Sequence, residues 1–292
     1  MQDWFVSACS FFGGFEQCVL QKKLPFEWHQ LFKLKLVFLY LLLTTPFEGV
    51  NFNGLLYKDV IPSKRNNMPR TSLDQQLQII RDDILLLSSM VETALVESVS
   101  ALKDHNMERS RIVYENDEQI NAKRFDLEGQ VIVTIAIQSP VLFDLRFLAS
   151  ALNICTELER IGDYAKAIAR INLMAEGIGV PHLLNMTYEM GVKTSDMLHR
   201  SMTAFIHVNV PSAVRIISDD DMIDAMYNKL YSEVMEFVIR GARNIERANY
   251  LFWAAHNLER AGDRVTNICE RTIYVETGEL SDMMLSTPRL AK

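Results

Sequence analysis

Leu158-Glu159-Arg160-Ile161-Gly162-Asp163 and, one hundred residues later, Leu258-Glu259-Arg260-Ala261-Gly262-Asp263 are one phrase written twice, with five of six positions identical. Repetition at that separation marks an internal duplication, so the chain is read as one structural unit used twice. On an α-helix, residues four apart lie one above the other on the same face. Each copy therefore stacks a glutamate and an aspartate along one stripe, with a glycine beside the aspartate. A mid-helix glycine costs about 1 kcal/mol relative to alanine, so finding one in both copies points to close approach by a neighbouring helix.

Outward from the motifs the patterning is helical throughout. Leu73, Leu77, Ile80, Ile84, Leu87, Val91, Leu95 and Val99 recur at steps of three and four, which predicts an amphipathic helix. A second helix is predicted over about 107–138, lined by Ile112, Ile120, Phe125, Leu127, Val131 and Ile135, and stopped by Ser139-Pro140. A third, over about 141–175, carries the first motif and runs out at Gly177, Gly179 and Pro181. The pattern then repeats over about 183–207, 212–240 and 243–276, with Pro211 in the first break and Gly278 as the final stop. The predicted fold class is all-α: a tandem duplication of two antiparallel three-helix bundles, residues 68–180 and 181–292.

Residues 1–67 differ in kind. They hold nine of the fifteen Phe and two of the three Trp, and they are slightly basic, whereas the remainder carries 23 basic against 32 acidic residues. The apolar run Leu36-Val37-Phe38-Leu39-Tyr40-Leu41-Leu42-Leu43 falls short of the roughly 20 residues that span a bilayer. It also starts too late for a secretory signal. Ile61-Pro62-Ser63-Lys64-Arg65-Asn66-Asn67 reads as a boundary, and Met68 as a fresh start. The expectation is an N-terminal extension outside the fold, with the native start at Met68; a membrane-surface anchor through residues 31–43 is the rival reading. Stable membrane insertion is not expected. The whole chain has a net charge of −7, which argues against non-specific nucleic-acid binding. Cys9, Cys18, Cys155 and Cys269 show no metal-finger spacing and no disulfide framework, so a reducing cytoplasm is expected.

The carboxylates are the candidate chemistry. Glu159 and Asp163 share a face in the first repeat; Glu259, Asp263, Asn267 and Glu270 share one in the second. The preceding helices offer Glu115, Asp117, Glu118 and Asn121, and then Asp219, Asp220, Asp221, Asp224 and Asn228. If these stripes face each other, hard oxygen ligands converge and a multivalent cation relieves their repulsion. If they face water, they are ordinary solvated helix surfaces. His256 could add a nitrogen ligand. No Glu-x-x-His di-iron pair, P-loop, dinucleotide fingerprint or nucleophile elbow occurs, so no catalytic residue is assigned and an enzyme is not expected.

At this point the chain resembles the PhoU family of phosphate-transport regulatory proteins. Gln138-Ser139-Pro140 with Asp144-Leu145-Arg146, the two motifs, and the continuation Thr266-Asn267-Ile268-Cys269-Glu270 to Tyr274 and Gly278 carry the resemblance, over about residues 68–280. It implies a non-enzymatic negative regulator of phosphate uptake and of the phosphate-starvation response. The implied partners are the ATPase subunit of the phosphate ABC transporter and a phosphate-sensing histidine kinase, and a homodimer is the expected assembly. It also implies divalent or trivalent metal ions, as multinuclear iron or zinc clusters, at Glu159 and Asp163 and at Glu259, Asp263, Asn267 and Glu270, with Asp117, Glu118, Asp220 and Asp224 facing them. A metal-buffering or metal-dependent helical bundle is the alternative. Two departures stand out: Arg264 replaces a histidine frequent after the second aspartate, and Ala167 and Arg170 take the places of Asn267 and Glu270. The second repeat is therefore expected to be the better cation site, unless Arg264 swings inward and neutralises it.

Overall fold

A computed structural model describes residues 71–279 apart from 176, 179 and 242–244. The expected extension over 1–67 and its start at Met68 lie outside the described residues. The described chain forms six helices: α1 (Thr71–Lys103), α2 (Met107–Gln138), α3 (Phe143–Met174), α4 (Pro181–Ile206), α5 (Val210–Ile239) and α6 (Ile245–Thr277). Every predicted helix is present, with ends within a few residues of those expected.

The α1 stripe from Leu73 to Val99 is the spine of the core, with none of its eight members more than 3 % exposed. By length and composition alone α1 could cross a membrane, but its apolar stripe is buried against protein. The α2 expectation needs correction. Ile120, Leu127 and Val131 are buried, whereas Ile112 and Phe125 are 49 % and 63 % exposed. The buried stripe of α2 runs Ser110, Val113, Asp117, Ile120, Leu127, Val131 and Thr134, so polar groups fill places that an apolar reading assigned elsewhere.

Within each repeat the three helices pack mutually, α1–α2–α3 and α4–α5–α6. Between repeats α1 packs on α4 and α3 on α6. These four form a central layer, with α2 and α5 outside it. The two bundles therefore share one continuous core. Phe147 of α3 stacks on Phe205 of α4 across the join, with ring centroids 5.1 Å apart. Arg146 of α3 reaches the C-terminal end of α6, where Nε donates to Val275 O at 2.9 Å and satisfies an orphan carbonyl of the last turn.

The duplication extends to the turns. Asn106 and Asn209 cap α2 and α5 by accepting from Arg109 N and Ser212 N, each at 3.0 Å. Just before them, His105 and Val208 both adopt left-handed backbone, with φ of 52° and 50°. In the first repeat Asn172, fully buried, donates from Nδ2 to Ala101 O at 3.0 Å and Ser110 Oγ at 2.8 Å, tying α3 to the α1–α2 turn.

At Gly191 α4 comes so near α1 that a Cβ would lie 2.7 Å from Val99 Cγ1. Gly191→Ala is expected to destabilise the protein by about 1–3 kcal/mol, and by clearly less in a Val99→Ala background. Gly129→Ala, whose new methyl meets nothing within 4 Å, should instead stabilise by about 0.5–1 kcal/mol. Thermal denaturation of these variants checks both signs.

Candidate metal site

Two seams carry the predicted residues: α2 against α3 in the first repeat, and α5 against α6 in the second. The motif glycines make both seams possible. A Cβ on Gly162 would sit 3.3 Å from Ile120 Cγ2 and 3.9 Å from Asp117 Oδ1. A Cβ on Gly262 would sit 2.7 Å from Asp220 Oδ1 and 3.4 Å from Ile223 Cγ2. Asp117 and Asp220 thus hold equivalent places, each pressed onto the motif helix, as do Ile120 and Ile223.

In the first seam Asp117, Glu159 and Asp163 act on one another electrostatically. Burial first, and then the Asp163 charge, raise the Glu159 carboxyl above its usual range, while Arg124 and Arg160 lower it. Burial and Asp117 raise Asp163, opposed by Lys166 and Arg160. Asp117 is 2 % exposed. Its Oδ2 accepts from Lys166 Nζ at 2.7 Å and from Asn121 Nδ2 at 3.0 Å. That hydrogen bond raises the Lys166 pKa above the ordinary lysine value. Glu115 and Glu118 are exposed and stand outside this set.

In the second seam Asp220, Glu259 and Asp263 act together with the exposed Asp224 and Asp221. Burial, followed by the charges of Asp224, Asp263, Glu259 and Asp221, pushes the Asp220 carboxyl up to about 7. Burial and Asp263 raise Glu259, whose Oε2 is buried and accepts no hydrogen bond. His256 Nδ1 lies 3.4 Å from that oxygen, at ion-pair distance without hydrogen-bond geometry. Asp219 is turned to Arg200, 2.6 Å away.

One predicted ligand, Asn267, is placed differently, together with its neighbour Arg264. Asn267 Nδ2 donates to Glu157 Oε2 of α3 at 3.3 Å, and Arg264 Nη1 to the same oxygen at 3.4 Å. Arg264 therefore turns across the repeat boundary and does not swing into the carboxylates. Asn267 serves that boundary contact. Glu270 is half-buried on the same helix. Burial pushes the Cys155 and Cys269 thiols up to about 12, which leaves both protonated and inert. Lys166 and Arg124, decisive in the first seam, did not figure in the sequence reading. Lys166 falls three residues after Asp163 and seven after Glu159, so the helical stripe already contained it.

The PhoU domain matches this chain twice, over residues 84–171 and 187–272. The chain belongs to the PhoU family. The phosphate-specific transport system accessory protein PhoU homolog of Aquifex aeolicus is 31 % identical over 71 % of this chain and 94 % of its own length. The homolog from Clostridium acetobutylicum is 28 % identical, over 74 % of this chain and 99 % of its own length. The crystal structure of the phosphate transport system regulatory protein PhoU from Streptococcus pneumoniae superposes with a TM-score of 0.68 at 28 % identity, over 72 % of this chain and all of that one.

Whether the PhoU fold here suits a metal can be tested on the donors themselves. Among the described residues no three His, Cys, Asp or Glu side chains already converge closely enough to enclose an ion. The second seam nevertheless fits one chemically. Its carboxylates are hard oxygen donors, one of whose oxygens is buried without a hydrogen bond, and one carboxyl is pushed to about 7 by burial and then by its neighbours. The first seam does not fit, because an ammonium already lies against its buried carboxylate.

The second seam also makes stability depend on pH in cation-free protein. An unfolded aspartate titrates near 3.8 and folded Asp220 near 7, so between these values the folded state holds the extra proton. Stability contributed by this group is complete below the unfolded value and is lost as pH rises towards 7. Denaturant unfolding of chelator-treated protein across this range should show a falling limb that Asp220→Asn flattens. An unchanged slope in the variant would contradict the burial argument.

Proposed function

We propose that the protein is a cytoplasmic, non-enzymatic negative regulator of phosphate uptake and of the phosphate-starvation response. It works as an adaptor between the ATPase subunit of a phosphate ABC transporter and a phosphate-sensing histidine kinase, with a homodimer as the working assembly. The observation that carries this reading is the family match along almost the full length of relatives named as accessory proteins of phosphate-specific transport.

In this reading a divalent or trivalent cation, alone or in an iron or zinc cluster, is held in the second repeat by Glu259, Asp263, Asp220 and Asp224. Bound there, it would supply positive charge between helices whose carboxylates otherwise repel. Asp220 and Asp224 stand on α5, and Glu259 and Asp263 on α6. Neutralising them together favours the closed seam, and any ligand that binds the folded state alone stabilises it by mass action.

Deleting the gene in the producing bacterium is expected to switch on phosphate-starvation genes in phosphate-rich medium. Expression that stays repressed would remove the regulatory reading and leave the metal-buffering one. Elemental analysis of purified protein is expected to lose bound metal in a Glu259→Gln/Asp263→Asn variant whose helical circular dichroism is unchanged. Equal metal content in variant and parent would remove the second-repeat site.

A further inference from the structure

Three of the places at which the two seams differ change the charge around the carboxylates, all in the same sense. Lys166 in α3 becomes Thr266 in α6, whose hydroxyl donates to Asp263 O at 2.7 Å. Asn121, which donates to Asp117, becomes the acidic Asp224. Arg124, whose charge acts on Glu159, becomes Tyr227, which lies beside Glu259. The first seam therefore has three carboxylates with a lysine and an arginine among them. At the matching places the second has four carboxylates, a threonine and a tyrosine.

We propose that Lys166 is a built-in substitute for the metal: its tethered ammonium fills the charge demand of the α2–α3 seam, so that multivalent cations bind the second repeat alone. The inference rests on the reading of the second repeat as the cation site. The ammonium crosses the seam from α3 to α2 and meets Asp117 Oδ2 at 2.7 Å. The same oxygen accepts from Asn121, so two donors already serve it. The ammonium also lies over the Tyr114 ring, 5.1 Å from its centroid. Asp117 is almost wholly buried, and a buried carboxylate keeps its charge only when paired. An incoming cation would have to displace an ammonium that cannot diffuse away, and would then face it at close range.

The consequence is a division of labour between the copies. The first repeat keeps its seam closed whatever the metal supply. The second closes its seam in response to it. One half is a fixed platform and the other a responsive one, although both descend from the same unit.

Mn²⁺ titration of the chelator-treated full chain, followed calorimetrically and by the electron paramagnetic resonance of free Mn²⁺, tests this. Wild-type binding is expected to be lost in Asp220→Asn/Glu259→Gln. Lys166→Thr, and Lys166→Gln as a second variant that keeps a hydrogen-bond donor, should each gain a Mn²⁺-binding step. That step should survive in combination with Asp220→Asn/Glu259→Gln and vanish on adding Glu159→Gln. Circular dichroism confirms that each variant is folded. Mn²⁺ binding that persists in Asp220→Asn/Glu259→Gln but needs Glu159 would overturn the proposal, because the first seam would then bind with Lys166 in place. So would the absence of any gain in two folded Lys166 variants. Wild-type protein that binds no Mn²⁺ while the Lys166 variants do would refute the second-repeat site and uphold the role of Lys166.

Discussion

At Gly262 the backbone of α6 lies so close to α5 that a single added methyl would sit 2.7 Å from a carboxylate oxygen of Asp220. That closeness governs the site. It brings the half-buried Asp220 beside Glu259 and Asp263, where water screens the charges less than it does on an open helix face. The looser contact at Gly162 does the same for Asp117. A glycine that weakens its own helix thus makes the approach that gives the adjoining acidic residues their unusual surroundings.

The same seam answers its charge problem in two ways. In the first repeat the chain supplies the cation from its own α3, through Lys166. In the second, the corresponding residue is a threonine bonded to the backbone of its own helix, and the Asp220 carboxyl is pushed up to about 7. Duplicated structures commonly keep their core and diverge at their surfaces. Here the divergence lies at the edge of the core, where Lys166, Asn121 and Arg124 have Thr266, Asp224 and Tyr227 as their counterparts.

The boundary between repeats adds a constraint of its own. Glu157 takes hydrogen bonds from both Arg264 and Asn267, and Phe147 stacks on Phe205. These contacts join the bundles into one core and hold Arg264 away from the carboxylates of its own helix. The Arg264 charge serves the boundary, and the second seam keeps its excess of negative charge for that reason.

The sequence determined the parts that depend on local periodicity. Six helices, the breaks at Ser139-Pro140 and just ahead of Pro211, the α1 stripe and the doubling of the motif were all legible, because helical spacing and chain-breaking residues act within a few positions. It also marked Asp117, Asp220, Asp224, Glu159, Asp163, Glu259 and Asp263 as one group of faces. It misassigned Ile112 and Phe125, since an apolar residue one position off the buried stripe of α2 is turned by about 100° towards water. Only the tertiary structure decided which polar groups meet. That Lys166 pairs with Asp117, that Asn267 and Arg264 turn to Glu157, and that two bundles share one core all depend on helices brought together from distant parts of the chain. Periodicity places a residue on a face; packing alone chooses what that face touches.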